Sequence, residues 1–550
     1  MVCLEDGITS CGFRKMAAHV AEKNVDTRSY YVSTNQFKRF ANNVLGRFGT
    51  IGDLNDDGID EVAQGLAGSD MVGFSSMTGY SDLTRRVIER LRQVDPNAFI
   101  IWGGIHPIIH PEDAVTASVD AVCTGEGEFA FDELYDLLNE GRDHTGVRNF
   151  WFKDPAQKNG QKITRNEFLP LMTAEQMEGL PFPQYGHASE RIYEPGAGFV
   201  PVTTADYLQH FSLQYQTLWS IGCPFHCTYC GNTKFIANDN AYKKLRHPSA
   251  RYIVNEVKGV RERFPFVSQI CFHDDSFMAI PYRDLEQFSE LWHDEVGVPF
   301  AVYGVIPNYV KQDKFEILTW AGMNRIRMGI QSGSQNILDF YKRPTPPARI
   351  LEAGEVIGGF SGKYHVPAGY DLIVDNPLET RQDVVDTLEL MYTIRRPFNP
   401  LVYSLKVIPN TELELAMADA GVDLDGIDSS YMTIPPRYAN MLLYLLAIWK
   451  PPRWLFNRLL RGVKASAEEQ RMLPRLTAVV RTTYLFKRGL YHLRFMDFSV
   501  LPGRPAYWMS RLGVVRFCQR RFTPHLPRPE RRAKKRSEVG ARIPLIDVSN

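Results

Sequence analysis

Ser220-Ile-Gly-Cys-Pro-Phe-His-Cys-Thr-Tyr-Cys-Gly-Asn232 is the stretch that decides the reading of this chain. Cys223, Cys227 and Cys230 stand in a C-x3-C-x2-C array, directly after an apolar run that reads as a strand, Gln214–Ile221. Three thiolates gathered this tightly repel one another unless a metal holds them. Structural zinc takes four ligands, and no fourth cysteine lies nearby. His226 sits inside the loop, but four zinc ligands within eight residues would be badly strained. Three cysteines suit a cubane iron–sulfur cluster with one open iron.

Outward from this array the chain alternates strand and helix signals. Candidate strands are Gln214–Ile221, Gln269–His273, Phe300–Tyr303, Arg325–Ile330, Tyr370–Val374 and Val402–Val407. Helical stretches such as Ala250–Phe264 and Arg381–Ile394 separate most of them. Six strands in this alternation predict a parallel barrel, complete or partial. Before it, Asp70–Ser75, Phe99–Trp102 and Val119–Cys123 are short buried-strand runs ended by glycines. Between the first two, Leu83, Val87, Ile88, Leu91 and Val94 recur at helical spacing behind Ser81, placed to cap. That pattern predicts an open, mostly parallel sheet whose ligands sit at the carboxyl ends of its strands. Residues 151–213 read as a bridge, with Asn159-Gly160 as a tight hairpin turn. Residues 426–550 read as helical and basic. The expected organisation is therefore a lobe over 1–150, a bridge over 151–213, a barrel over 214–425 and a C-terminal region over 426–550.

Four further segments follow the cysteines in order: Phe272-His-Asp-Asp-Ser-Phe, Arg327-Met-Gly-Ile-Gln-Ser-Gly, Asp371-Leu-Ile-Val-Asp-Asn-Pro-Leu-Glu-Thr and Pro409-Asn-Thr-Glu-Leu. Together with the cysteine array they resemble the radical S-adenosylmethionine (radical SAM) superfamily. The resemblance implies a [4Fe–4S] cluster on Cys223, Cys227 and Cys230, and S-adenosylmethionine (SAM) on its open iron. Reductive cleavage would then yield a 5′-deoxyadenosyl radical, shielded inside the barrel. It further implies that Asp274, Arg327, Gln331, Ser332 and Asn376 line the SAM site. Gln331 stands where glutamate is more usual. Asn376 and Leu378 replace two glycines of the fifth-strand turn.

The first lobe carries Trp102-Gly-Gly-Ile-His-Pro, Pro111-Glu-Asp-Ala and Val119-Asp-Ala-Val-Cys-Thr-Gly-Glu-Gly-Glu. These resemble the cobalamin-binding domain fused to many radical SAM enzymes, and the resemblance covers about residues 1–425. It implies a Rossmann-like fold with cobalamin near Ser75, Thr78, Gly103, Gly104, Gly125, Glu126 and Gly127. Glycines there would admit a close approach that a side chain would block. The lower-ligand motif Asp-x-His-x-x-Gly has no counterpart in Glu5-Asp-Gly-Ile-Thr-Ser-Cys-Gly, so no protein histidine is expected on cobalt. His106 and His110 read as surface or loop residues.

The fold class expected is α/β: a Rossmann-like cobalamin-binding domain, a central partial TIM-type (β/α)6 radical SAM barrel and a helical extension. The reaction implied is methylation of an unactivated carbon. The alternatives are cyclisation or rearrangement with the same cofactors, and a non-catalytic iron–sulfur or corrinoid-binding protein. A methylthiotransferase is disfavoured, because no second cysteine trio precedes the barrel. The expected partners are a small-molecule or lipid-like substrate and an electron donor such as ferredoxin or flavodoxin.

Composition sets the remaining bounds. The 550 residues are 44% hydrophobic and 23% charged, which excludes disorder and coiled coil for the chain as a whole. Its 8 cysteines are too few for a disulfide scaffold. MVCLEDGITSCGFRK has no apolar core of signal-peptide length, and Met441–Trp449 is too short to span a bilayer. A cytoplasmic setting is expected. Lys plus Arg and Asp plus Glu each number 63, but residues 440–550 hold 23 basic and 6 acidic side chains. The tail is thus +17 and the preceding 439 residues −17, which bears on partners. Aromatics interleave the tail's basic residues, as in the amphipathic Trp454-Leu-Phe-Asn-Arg-Leu-Leu-Arg. A solvated cap over the barrel, a membrane-surface patch and nucleic acid binding are its three readings. Nucleic acid is the least favoured, since no RNA-binding signature is visible.

Overall fold

A computed structural model describes residues 1–5, 8, 10–23, 26–32, 54–153, 162–424, 436–468, 474–498, 501, 503–522 and 525–529. Two sheets organise it. The first has nine strands: β1 (Val2–Cys3), β2 (Ser29–Tyr31), β3 (Met71–Ser75), β4 (Phe99–Gly103), β5 (Ala121–Cys123), β6 (Phe150–Lys153), β7 (Ile163–Arg165), β8 (Glu190–Glu194) and β9 (Gly198–Pro201). Their order is β7-β6-β5-β4-β3-β1-β2-β8-β9. The run β5-β4-β3-β1-β2 is parallel, and its order reverses between β1 and β3. A ligand crevice forms where such an order reverses.

The bridge expected over 151–213 instead extends this sheet at both edges. β6 and β7 add antiparallel beside β5, β8 pairs parallel with β2, and β9 closes the other edge. A buried ion pair seals the addition. Arg14 meets Glu190 at 2.5 Å, and Glu190 also accepts from Tyr31 and Tyr207. Short strands with mixed polarity carry little period-2 signal, which is why the sequence reads them as linker. Asn159 and Gly160 lie outside the described residues. Ser81 begins the helix Ser81–Val94 rather than capping it, and its hydroxyl donates to the Thr78 carbonyl.

The second sheet has six parallel strands in sequential order: β10 (Gln214–Thr217), β11 (Gln269–Phe272), β12 (Phe300–Val305), β13 (Met323–Gln331), β14 (Ala368–Val374) and β15 (Phe398–Ser404). β10 and β15 do not pair, so this is a partial barrel. The β15 signal is displaced by four residues at its start, because Asn399 and Pro400 mask it in the sequence. The largest apolar core runs from the helix Cys11–Ala21 of the first lobe into the barrel helix Ala250–Arg263 and on to the helix Tyr438–Ile448. That last helix holds the apolar run Met441–Ile448, buried against the barrel. Among the described residues, no helix is long and apolar enough to cross a membrane.

Candidate active site at the facing ends of the two sheets

The loop after β10 carries the three cysteines. Ile221 and Arg246 exchange both backbone hydrogen bonds, and the Cys223 amide donates to Tyr242. The loop is thus pinned along one side. Asp274, the first of two adjacent carboxylates after β11, pins the other. It accepts from the Trp219 amide at 3.0 Å, the Ser220 amide at 2.6 Å and the Ser220 hydroxyl at 2.6 Å. Strand alternation sends the neighbouring Asp275 the opposite way. Asp275 reaches the thiols, and its charge adds to burial in pushing Cys223 and Cys230 up to about 12. Burial also raises Asp275 itself, against hydrogen bonds from Asn232 and Tyr242.

Cys223 and Cys227 are buried with Phe225 and Ile306, and Cys230 is half-buried. Cys223 and Cys227 each oppose ionisation of Cys230. Among the described residues, no three His, Cys, Asp or Glu side chains close tightly enough for a single metal ion. A tetrahedral zinc would need sulfurs about 3.8 Å apart. The donor set fits a larger multi-iron body. Buried Arg343 adds to that fit. It donates to the Cys227 sulfur at 3.7 Å, the Tyr229 hydroxyl at 3.1 Å and the Gly329 carbonyl at 2.5 Å, and its Nε has no partner. A buried cation beside sulfur suits a centre whose thiolates carry negative charge. His226 faces Glu412 at 3.9 Å.

The barrel interior below the thiols is polar. Arg327 on β13 pairs with Asp371 on β14 at 2.6 Å and donates to Tyr403 on β15 at 2.7 Å. Burial, opposed by Arg327, leaves Asp371 raised to about 6. Burial and the Arg327 charge hold His273 down at about 4, so its imidazole is neutral at pH 7. It meets the Tyr303 ring edge-on, with centroids 4.8 Å apart.

Three residues expected at the SAM site have other or partial occupations. Ser332 is buried, 3.1 Å from the Thr387 hydroxyl, and accepts from the Ser334 amide. Asn376 donates to the Tyr341 hydroxyl and accepts from the Leu378 amide. Gln331 stands at the end of β13 with φ +72°, a conformation that non-glycine residues seldom adopt outside functional sites. Sequence reasoning missed Asp275 and Arg343. A second carboxylate beside Asp274 was the available signal for Asp275. Arg343 lies on a loop 12 residues past β13, and no pattern flags it.

In the first lobe the carboxyl ends of β3, β4 and β5 bring together Ser75, Gly103, Gly104 and the Gly125–Gly127 turn. Gly104 has φ +95°, and a Cβ there would lie 2.8 Å from the Ser76 nitrogen and 2.9 Å from the Ser75 hydroxyl. The protein's own backbone therefore demands this glycine. Gly103 packs over Cys123, Gly125 over Asn149, and Gly127 over Met16 and Cys123. Glu126 binds Arg246 at 2.8 Å and the Met172 amide at 2.7 Å, which ties the lobe to the segment pinning the cysteine loop. The Thr78 hydroxyl is buried without a partner, an open bonding position beside the crevice. It fits the amide-rimmed periphery of a corrinoid. His106, read as a surface or loop residue, is buried. Its Nε2 lies 2.9 Å from Asp113, and its ring lies against Trp102. The Trp102-x3-His106 spacing folds it back onto its own strand.

The two sheets present these carboxyl ends to each other. Asn410, after β15, donates to the Ile109 carbonyl at 3.1 Å. A Cβ on Gly231 of the cysteine loop would lie 2.9 Å from Ile109. The Lys406 ammonium lies 3.7 Å from the Cβ position of Gly79. The thiols, the polar barrel interior and the β3–β5 crevice thus border one shared space.

Residues 218–391 match the radical SAM superfamily, and residues 51–135 match the B12 binding domain. An uncharacterized methyltransferase of Pyrococcus horikoshii is 24% identical over 58% of this chain and 63% of its own length. The cytidylyl-2-hydroxyethylphosphonate methyltransferase of Streptomyces wedmorensis is 27% identical over 53% of this chain and 55% of its own. The chain thus spans about three-fifths of the relatives it matches. The radical S-adenosylmethionine methyltransferase TsrM of Kitasatospora setae, solved with cobalamin and a [4Fe–4S] cluster, shares the fold. Its TM-score is 0.57 at 14% identity, over 76% of this chain and 77% of that one.

Proposed function

We propose that this chain, which carries a radical SAM domain and a B12-binding domain, is a cobalamin-dependent radical SAM methyltransferase acting on an unactivated carbon of a small molecule. A [4Fe–4S] cluster on Cys223, Cys227 and Cys230 supplies electrons for cleaving SAM, and cobalamin supplies a methyl carrier. The observation that carries the reading is the facing of the thiol loop and the β3–β5 crevice across one space, bridged by Asn410 and Ile109.

The chain's own residues have distinct tasks in this reading. Asp274 fixes the entry to the cysteine loop. Arg343 offsets negative charge at Cys227. Asp275 is the carboxylate placed to accept hydrogen bonds from a cationic amine near the thiols. Arg327, Asp371, Tyr403 and the neutral His273 offer a substrate both donors and acceptors in the barrel. The Thr78 hydroxyl and the ends of β3 and β4 hold the corrinoid. Electrons come from an external one-electron donor of the ferredoxin or flavodoxin class.

Anaerobically reconstituted protein given SAM and dithionite tests the reading. The expected products are 5′-deoxyadenosine and, with the substrate present, S-adenosylhomocysteine. Both should vanish in Cys230→Ala. Deoxyadenosine without homocysteine product would favour cyclisation or rearrangement, and neither product would leave a binding protein.

A further inference from the structure

The helix Pro474–Arg494 buries one face, through Thr477, Tyr484 and His492, against the body of the protein. Its other face is not polar. Leu476, Val479, Phe486, Leu490 and Leu493 stand exposed, Phe486 at 68%. Their spacing of three and four residues aligns them in one stripe. At about 1.5 Å per residue the stripe runs some 25 Å. The helices Gly503–Arg511 and Val514–Phe522 continue the pattern, with Trp508, Leu512 and Phe517 exposed. Arg516, Arg520 and Arg521 line an open groove of about 430 Å³ with Phe517 and Gly513. Exposed apolar area of this extent marks an interaction surface.

Charge selects the occupant. Residues 474–529 contain 11 Lys and Arg and a single acid, Asp497. That acid is buried and spent on Arg325 and His492. The sequence then continues into Arg531, Arg532, Lys534, Lys535 and Arg536. A second copy seated on the same stripe would bring Arg475, Lys487 and Arg494 against their own kind. A nucleic acid would leave the apolar stripe in water. An anionic bilayer satisfies both features, taking apolar side chains below its headgroups and guanidinium groups at them.

We propose that the C-terminal helices form a docking surface for an anionic membrane, with the stripe from Leu476 to Leu493 lying in the interface plane. This face is remote from the thiols: Asp497 meets Arg325 near the amino end of β13, and Ser212 bonds Leu501 ahead of β10. Docking therefore leaves the facing ends of the two sheets open. The surface joins a hydrophobic and a Coulombic attraction, and each has its own signature.

Co-sedimentation of the full-length reconstituted protein with vesicles separates them. Vesicles of phosphatidylcholine with 30% phosphatidylglycerol should bind at least tenfold more tightly than pure phosphatidylcholine, and 0.5 M salt should reverse most of that gain. Phe486→Ser with Leu490→Ser should weaken binding about tenfold or more at every salt concentration. Arg520→Gln with Arg521→Gln should weaken it mainly at low salt. Both variants alter exposed side chains, and unchanged cluster absorbance checks their folding. Equal or absent binding to the two vesicle types would overturn the proposal. So would a dimer in solution that Phe486→Ser dissociates, or retention on RNA that outcompetes vesicles.

Discussion

Replacing Asp274 by alanine tests whether one buried carboxylate holds the cysteine loop in place. Its loss orphans the amides of Trp219 and Ser220, which it now accepts at 3.0 and 2.6 Å. A buried unsatisfied donor costs about 1–3 kcal/mol, so the pair costs about 2–6 kcal/mol. An opposing term exists. Burial pushes Asp274 from 3.8 to about 6 despite its three donors. Keeping it ionised at neutral pH thus costs about 3 kcal/mol, and alanine removes that cost. The balance is a net loss of roughly 1–3 kcal/mol in Asp274→Ala, local to the loop. At 1.4 kcal/mol per factor of ten, the loop opens about 5- to 100-fold more often. Asp274→Asn relieves the charge and keeps one acceptor, so it should fall between. The pH dependence has a definite sign. A carboxyl raised in the folded state contributes stability below its unfolded value of about 4, and this is lost as pH rises through about 6. Wild type should lose about 3 kcal/mol over that window, and both variants should lose that slope. Hydrogen exchange at the Trp219 and Ser220 amides is the assay, read beside iron retained under a chelator. Unchanged protection of both amides in Asp274→Ala would refute the clamp.

Three other outcomes are expected. Glu379 is buried among Asp375, Asp383 and Ser466, and burial raises it to about 8; Glu379→Gln should therefore gain up to about 5 kcal/mol over wild type above pH 8 and nothing below pH 4, by denaturant titration. Gly304 has φ +64°, and a Cβ there would lie 1.8 Å from the Asp274 carbonyl; Gly304→Ala should cost more than about 2 kcal/mol and lower iron loading together, because the Asp274–Asp275 backbone must move. Thr78→Val removes an unpartnered hydroxyl, so stability should hold while cobalamin affinity, measured by equilibrium dialysis, drops about three- to tenfold. Gly104→Phe is a poorer probe of cobalamin, since it collides with Ser76 before it meets any ligand.

Sequence alone determined what depends on local pattern and on reactive residue types. The cysteine spacing specified the metal chemistry, because three thiols within eight residues admit few other uses. Apolar runs of four to six residues between helical periods located all six barrel strands, since strands buried on both faces are continuously apolar. The tertiary structure decided whatever depends on direction. Asp274 and Asp275 are adjacent and chemically alike, and only the pleat after β11 assigns one to the loop and the other to the thiols. Ser332, Asn376 and Glu126 look like ligand-binding residues in the chain, yet partners tens to more than a hundred residues away, Thr387, Tyr341 and Arg246, claim them. Arg343 reaches Cys227 across 116 residues. Residues 151–213 joined a sheet whose other members had been made 40 to 190 residues earlier. Local pattern carries the period of an element and the chemistry of a side chain, but a hydrogen-bond partner is set by the packing of elements distant in the chain.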